Sequence, residues 1–482
     1  MRKLILIHGA LGAAEEYDTI LPLLKEHFEV TPFELPHHGT RKNSGVPFNI
    51  ECLTNDLLEF LSSHGKSIIY GFSLGGYVAL CAAQRDTKNI EGIITQGTKL
   101  NWSPEIAEKE IKSLDESFLK NKLQPFHEYL VNLHGDYLPH LLDKTATFMK
   151  VLGSNPVLSK NTLQKVDIPI RFTRGGKDRV VSQEETIEFA KYVSNQCYFE
   201  IPFLPHPLGF IKPKYIARLI EVQTNSFDYE WCETEHGRMA YKLLGSIQPE
   251  KTCLLFLHEA LGSIAQWNDF PTQLSDQLNI PGILLEFPGY GFSDNDPRNR
   301  DQYYLHDFAT KVLPAFIAKV CPTKKLLIVG HSDGGTNALL YSSNFPLNVK
   351  GVITMAAHYI NEKETRAGIE PAIKAFETGK LKGLELYHGS KTKHLFYNWA
   401  RTWLSEDFKT WDISKDIQST KVPALIIQGH DDQYGTAQQV KGICALLENG
   451  EPCFIENCGH APHLEQPEIV INKIKQWSIN LQ

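Results

Sequence analysis

Ile68-Ile69-Tyr70-Gly71-Phe72-Ser73-Leu74-Gly75-Gly76 is answered 259 residues later by Leu327-Ile328-Val329-Gly330-His331-Ser332-Asp333-Gly334-Gly335. Each stretch is a short apolar run, a Gly-x-Ser-x-Gly turn and then a small-residue segment, 77–83 in one and 337–343 in the other. A strand that turns sharply into a helix presses the residues two before and two after the serine together. Glycine is the residue that leaves room there. The turn lifts the serine hydroxyl to the start of the helix, where backbone N–H groups lack helical partners. One such match is weak evidence. Two, each behind a strand-like run, point to a nucleophile elbow used twice.

The rest of the chain repeats in step with them. His8-Gly9-Ala10-Leu11-Gly12 resembles His258-Glu259-Ala260-Leu261-Gly262 at an offset of 250. Glu34-Leu35-Pro36-His37-His38-Gly39 resembles Glu286-Phe287-Pro288-Gly289-Tyr290-Gly291 at 252. Gly175-Gly176-Lys177-Asp178 resembles Gly429-His430-Asp431-Asp432, and Pro205-His206-Pro207 falls opposite Gly459-His460-Ala461, both at 254. A period this long is not that of a solenoid, whose unit is about 20–50 residues. It is one domain type present twice, with boundaries of 1–225 and 226–482. The second copy opens with two strand-like runs around His236-Gly237, a hairpin signal that the first copy lacks.

Short runs rich in Ile, Leu and Val alternate with longer amphipathic stretches in each half. Continuous apolar runs without period-two alternation belong to strands buried on both faces. The fold class is therefore α/β, a mostly parallel sheet flanked by helices in each half. Residues 99–167 and 359–421 are too long for simple crossovers and read as helical caps.

A serine needs a base to become nucleophilic, and the base needs an acid to orient it. Asp178 and His206 are 28 residues apart, as are Asp432 and His460. In each pair both residues follow strand-like runs, where such folds gather their sites. Asp431 is the rival acid, but it breaks the repeat. The candidate catalytic sets are Ser73, Asp178 and His206, and Ser332, Asp432 and His460. An oxyanion needs two backbone donors. Leu74 and Asp333 follow the serines; Ala10 and Ala260 lie in the loops after the first main strands.

The 482 residues carry a formal charge of −7 and are 42% apolar and 22% charged, a globular composition without the basic excess of a nucleic-acid binder. Nine cysteines, an odd number without a CxxC pair, point to a reducing, cytoplasmic compartment. The apolar run after Met1-Arg2-Lys3 ends at His8, too short for a signal peptide, and no run reaches the roughly 18 apolar residues of a membrane span. Cys458, His460 and His463 match no zinc spacing, and neither a P-loop nor a GxGxxG follows a first strand. No metal, cofactor, nucleic-acid or membrane partner is expected; the expected partner is a small-molecule acyl substrate.

These motifs resemble the α/β-hydrolase superfamily in both halves. The resemblance implies a helical cap where the two insertions fall, and Ser rather than Asp at the elbow implies acyl chemistry. The second half is similar to C–C hydrolases and enol-lactonases. It departs from the family in having Glu259 after His258, while the first half departs in flanking His206 with prolines. Trp399 and Trp403 in the second cap point to an apolar or aromatic substrate, and Arg401 to a substrate carboxylate. Beside two-site hydrolysis of esters, thioesters or similar acyl bonds stand two alternatives. One is a catalytically silent or ligand-binding half. The other is use of the same residues for C–C hydrolysis, acyl transfer or lyase chemistry.

Overall fold

The computed structural model describes residues 1–247, 251–322, 325–418 and 420–481; Ser419, inside the second expected cap, lies outside them. The chain divides into two units, Met1–Phe227 and Asp228–Gln482.

The first unit is built on six strands, β1 (Arg2–Ile7), β2 (Phe28–Phe33), β3 (Ser67–Phe72), β4 (Ile90–Gln96), β5 (Ile170–Gly175) and β6 (Gln196–Ile201). They form one sheet in the order β2-β1-β3-β4-β5-β6, with every pairing parallel. Helix α1 (Leu74–Arg85) leaves β3 directly, and almost all of it is buried. The segment between β4 and β5 is helical. Its longest element, α2 (Leu138–Ser154), turns Leu138, Leu141, Leu142, Thr145, Phe148 and Leu152 inward at helical spacing.

In the second unit, β7 (Tyr229–Thr234) and β8 (Gly237–Leu244) form the antiparallel hairpin that the first lacks. It extends a parallel core of β9 (Cys253–Leu257), β10 (Gly282–Leu285), β11 (Leu326–His331), β12 (Val349–Met355), β13 (Ala424–Gly429) and β14 (Gly450–Ile455). The order is β14-β13-β12-β11-β9-β10-β8-β7. Every residue of β9 and β11 is buried, which explains the unbroken apolar runs Cys253–Leu257 and 326–329. Helix α3 (Asp333–Asn344) leaves β11 as α1 leaves β3. The segment between β12 and β13 carries further helices, among them α4 (Thr392–Leu404).

Both sheets reverse their winding direction next to the first main strand, between β1 and β3 and between β9 and β11. In open α/β sheets the crevice at the strand ends of such a point is where ligands bind. The two serines stand there. Among the described residues no helix is long and apolar enough to cross a membrane, and no disulfide bond is formed.

The turn into each helix depends on backbone contact. A Cβ on Gly330 would lie 2.2 Å from Gly334 O, and one on Gly334 would lie 2.0 Å from Leu257 O. Gly334→Ala is therefore expected to destabilise the second unit by about 2–4 kcal/mol, whereas a benign site changes by only about 0.5. Gly383→Ala is the control, since nothing lies within 4 Å of its added methyl. Differential scanning calorimetry of the two variants checks both values.

Candidate active sites

Ser73 has φ 50° and ψ −113°, and Ser332 has φ 52° and ψ −116°. Such a conformation costs a non-glycine residue about 1–3 kcal/mol and persists only where its surroundings enforce it. Here each serine's own N–H is held by the neighbouring strand: Ser73 N donates to Gln96 O at 2.9 Å and Ser332 N to Met355 O at 2.8 Å. The next N–H groups, of Leu74 and Asp333, open the helices and have no hydrogen bond among the described residues.

In the second unit the candidate catalytic side chains form a continuous chain. Ser332 Oγ is 3.1 Å from His460 Nε2, and His460 Nδ1 is 2.8 Å from Asp432 Oδ1. Asp432 also accepts from Tyr434 N at 2.8 Å and Gln428 Nε2 at 3.2 Å. Burial works against its carboxylate, but the hydrogen bond and charge of His460 outweigh it and hold the pKa below the ordinary value. Asp431, the rival, is exposed, and its N–H is engaged by Cys458 O. In the first unit His206 Nδ1 is 2.8 Å from Asp178 Oδ2, and Asp178 Oδ1 accepts from Val180 N and Val181 N. Ser73 Oγ makes no hydrogen bond to His206 in this structure.

The loops after β1 and β9 are fixed through their carbonyls. Gly9 O accepts from His8 Nδ1 at 2.8 Å, and Glu259 O from His258 Nδ1 at 2.8 Å. Ala10 O is bonded by His38 Nε2 at 2.7 Å, and Ala260 O by the Tyr290 hydroxyl at 2.9 Å. Leu11 O is bonded by His134 Nε2 at 2.8 Å, and Leu261 O by His388 Nε2 at 2.9 Å. A trans peptide points its C=O and N–H in opposite directions. With Gly9 O and Glu259 O held, the N–H groups of Ala10 and Ala260 face the other way, and neither makes a hydrogen bond among the described residues. Gly9 lies against the elbow, for a Cβ there would be 3.3 Å from Ser73 Cβ.

His134 and His388 lie in the caps, and sequence reading missed them. Each is followed by a glycine with positive φ, Gly135 at 55° and Gly389 at 58°. The signal was present, since His134-Gly135 and His388-Gly389 recur at the same offset of 254 as the acid and base. His388 Nδ1 accepts from Gly291 N at 3.0 Å, so its single proton sits on Nε2. Burial pushes its pKa down to about 3, which keeps it in that neutral form.

The second cap places its three expected residues on different faces. Trp399 and Trp403 do face inward, at 9% and 2% exposure. Arg401 does not join them. It is exposed, with its guanidinium over the Tyr397 ring at 5.1 Å. On a helix, positions 399 and 403 share a face, whereas 401 is turned roughly 200° from 399. Arg300 stands beside the elbow, on the loop after β10, stacked over Tyr290 at 5.3 Å and Tyr304 at 5.1 Å. It lines a cavity of about 180 Å³ together with Phe308, Asp333 and Asn337. The Tyr304 hydroxyl donates to Asp333 Oδ2 at 2.7 Å and accepts from Trp403 Nε1 at 2.9 Å. Burial raises the Asp333 pKa against the opposing charge of Arg300. Arg300 Nη1 and Asn337 Oδ1 are buried there without hydrogen-bond partners among the described residues.

The profile of the Alpha/beta hydrolase family matches residues 4–160 and 254–473. Ethanol acetyltransferase 1 of Cyberlindnera fabianii is 29% identical over 164 residues, 33% of this chain and 46% of that protein. Putative esterase/lipase 2 of Mycoplasma genitalium is 29% identical over 276 residues, 52% of this chain and 98% of that protein. Among solved structures, the enol-lactonase from Burkholderia xenovorans has a TM-score of 0.42 at 13% identity, over 52% of this chain and all of that one (100%).

If the cap histidine holds the oxyanion loop in place, His388→Phe should slow phosphonylation of Ser332 by a fluorophosphonate about tenfold to 10²-fold, the scale of a disturbed oxyanion donor. Stopped-time labelling followed by peptide mass spectrometry reads the rate. An unchanged rate would count against that role.

Proposed function

The chain belongs to the alpha/beta hydrolase family, and we propose that it is a serine hydrolase with two acyl-transfer sites. The nucleophile, base and acid are Ser73, His206 and Asp178 in the first unit and Ser332, His460 and Asp432 in the second. The observation that carries the reading is the continuous Ser332–His460–Asp432 hydrogen-bonded chain beside the free N–H groups of Ala260 and Asp333.

Ser332 Oγ attacks the carbonyl carbon of an ester, thioester or similar acyl bond as its proton passes to His460 Nε2. Asp432 stabilises the imidazolium that forms. The negative oxygen of the tetrahedral species is received by the N–H groups of Ala260 and Asp333, and in the first unit by those of Ala10 and Leu74. His460 returns the proton to the leaving group, and water, activated by the same imidazole, releases the acid. Nine cysteines with no disulfide among the described residues accord with a reducing, cytoplasmic compartment.

The two sites take different substrates. Leu74 and Val78 begin α1 with buried apolar side chains, whereas the matching positions of α3 are Asp333 and Asn337. The second cavity adds Arg300, so its substrate is a small molecule with polar groups beyond the scissile bond. The resemblance to an acetyltransferase leaves an alcohol as the alternative acyl acceptor to water. A second reading, a first unit that binds its ligand without turning it over, is favoured by one observation, the absence of a Ser73–His206 hydrogen bond.

A fluorophosphonate should label two peptides. Ser73→Ala should remove one label and Ser332→Ala the other, with activity at each site falling on the order of 10⁴-fold or more. Labelling that survives the double variant would refute the proposal, while a Ser73 peptide that never labels would leave the first unit as a binding module. Product analysis with and without added alcohol separates hydrolysis from transfer.

A further inference from the structure

At one pair of positions beside the elbow the two units differ in kind. The first has Gly9 after His8 and Phe72 before Ser73; the second has Glu259 after His258 and His331 before Ser332. In the first unit the Phe72 ring covers Gly9, where an added Cβ would lie 3.1 Å from Phe72 Cδ1. In the second, His331 Nδ1 lies 3.1 Å from Glu259 Oε2, and His331 Nε2 lies 2.8 Å from His460 O. The imidazole is almost fully enclosed and the carboxylate about a quarter exposed, with side-chain exposures of 4% and 26%.

The partners decide the protonation. A carbonyl oxygen only accepts, so Nε2 carries a proton. An ionised carboxylate also only accepts, so Nδ1 carries the other, and Glu259 supplies the compensating charge. Burial opposes the charge on both groups. For each, the mutual hydrogen bond and attraction win, holding the Glu259 pKa far below its ordinary value and the His331 pKa above its own.

We propose that His331 is a positioning residue of the second site: an imidazolium clamped between Glu259 and the His460 carbonyl. It joins the oxyanion loop to the loop carrying the base and neutralises a carboxylate one residue from the Ala260 N–H. The first unit has Gly9 and Phe72 at the matching positions and therefore no such clamp. The inference rests on the reading of Ser332 as nucleophile.

The clamp gives the second site its own pH response. A histidine whose folded pKa is raised keeps its contribution below that pKa and loses it as pH rises through it. The charged and titratable groups around His331 are Glu259 and His258 on the oxyanion loop, His460 and His463 after β14, Asp432 after β13 and His358 after β12. Burial holds His258 at about 4, His358 at about 3 and His463 well below its ordinary value, so these three stay neutral. Loss of the His331 proton then gives an alkaline decline in kcat, above the ordinary histidine range, that the Phe72-bearing first site cannot show.

The experiment uses the full chain in a Ser73→Ala background with p-nitrophenyl acetate as probe. His331→Phe leaves the Glu259 carboxylate unpaired and should lower kcat about 10²-fold, the scale of a lost oxyanion donor, with KM changed by less than roughly threefold. Glu259→Gly together with His331→Phe, the pair found in the first unit, should recover roughly tenfold of that loss, as coupled neighbours do. It should also abolish the alkaline decline. A double variant no better than His331→Phe, or one that keeps the decline, overturns the proposal. Should either variant fail to fold, the near-isosteric Glu259→Gln must shift the decline to lower pH; an unmoved midpoint overturns it equally. Nitrogen-15 NMR of the histidine side chains is independent of activity. Two protonated nitrogens on His331 at pH 7 support the clamp, and a neutral ring refutes it. An imidazolium without esterase activity at Ser332 would instead count against the hydrolase reading.

Discussion

Each site is organised by a contact between backbones. Gly334 lies against the carbonyls that end β9, and Gly330 against the peptide of Gly334, at distances that exclude even a methyl group. This packing lets a helix begin the moment a strand stops. The serine between them adopts φ 52°, and the strain of about 1–3 kcal/mol is sustained by the wholly buried strand behind it. With Ser332 N–H engaged by β12, the first unengaged donor is that of Asp333. One steric constraint thus sets the position of the hydroxyl and of one unengaged N–H donor together.

The second donor comes from an accounting of carbonyls. Three consecutive carbonyls of each oxyanion loop are taken by side chains from three directions: the preceding histidine, the loop after the next strand, and the cap. What remains free is an N–H. The partners need not be identical, since His38 in one unit does the work of Tyr290 in the other. Hydrogen-bonding capacity at a point in space is kept, and the residue that provides it varies. Because the third partner belongs to the cap, the helical insertion of each unit also orders the loop after its first main strand.

This division explains what could be read from the chain. The elbows, Asp178 with His206 and Asp432 with His460 were legible because glycine, serine, aspartate and histidine are irreplaceable in their tasks and recur at nearly constant offsets. Strands buried on both faces announced themselves as unbroken apolar runs. The partners of the carbonyls were harder, because any donor serves, although His134 and His388 carried the same offset and were overlooked. Arg401 was singled out for a different reason. Composition drew attention to an arginine among aromatics, while helical periodicity turns it away from Trp399 and Trp403. Arg300 sits in a loop without periodicity, so nothing in the local pattern marked it.

The comparison of the two units bears on why the second keeps buried charge at all. Glu259, His331, Asp333 and Arg300 crowd around one elbow, each requiring a neighbour to offset the cost of leaving water. The first unit builds the same elbow, with serine dihedrals that agree to within 3°, from Gly9, Phe72 and Leu74. The fold therefore does not need those charges, and buried ion pairs are in general poor contributors to stability compared with well-packed apolar side chains. Under the proposed function their use lies in what the second site would hold. Charges already oriented by Tyr304, Tyr290 and the His460 carbonyl require little rearrangement when a polar substrate arrives or when negative charge develops on its carbonyl oxygen.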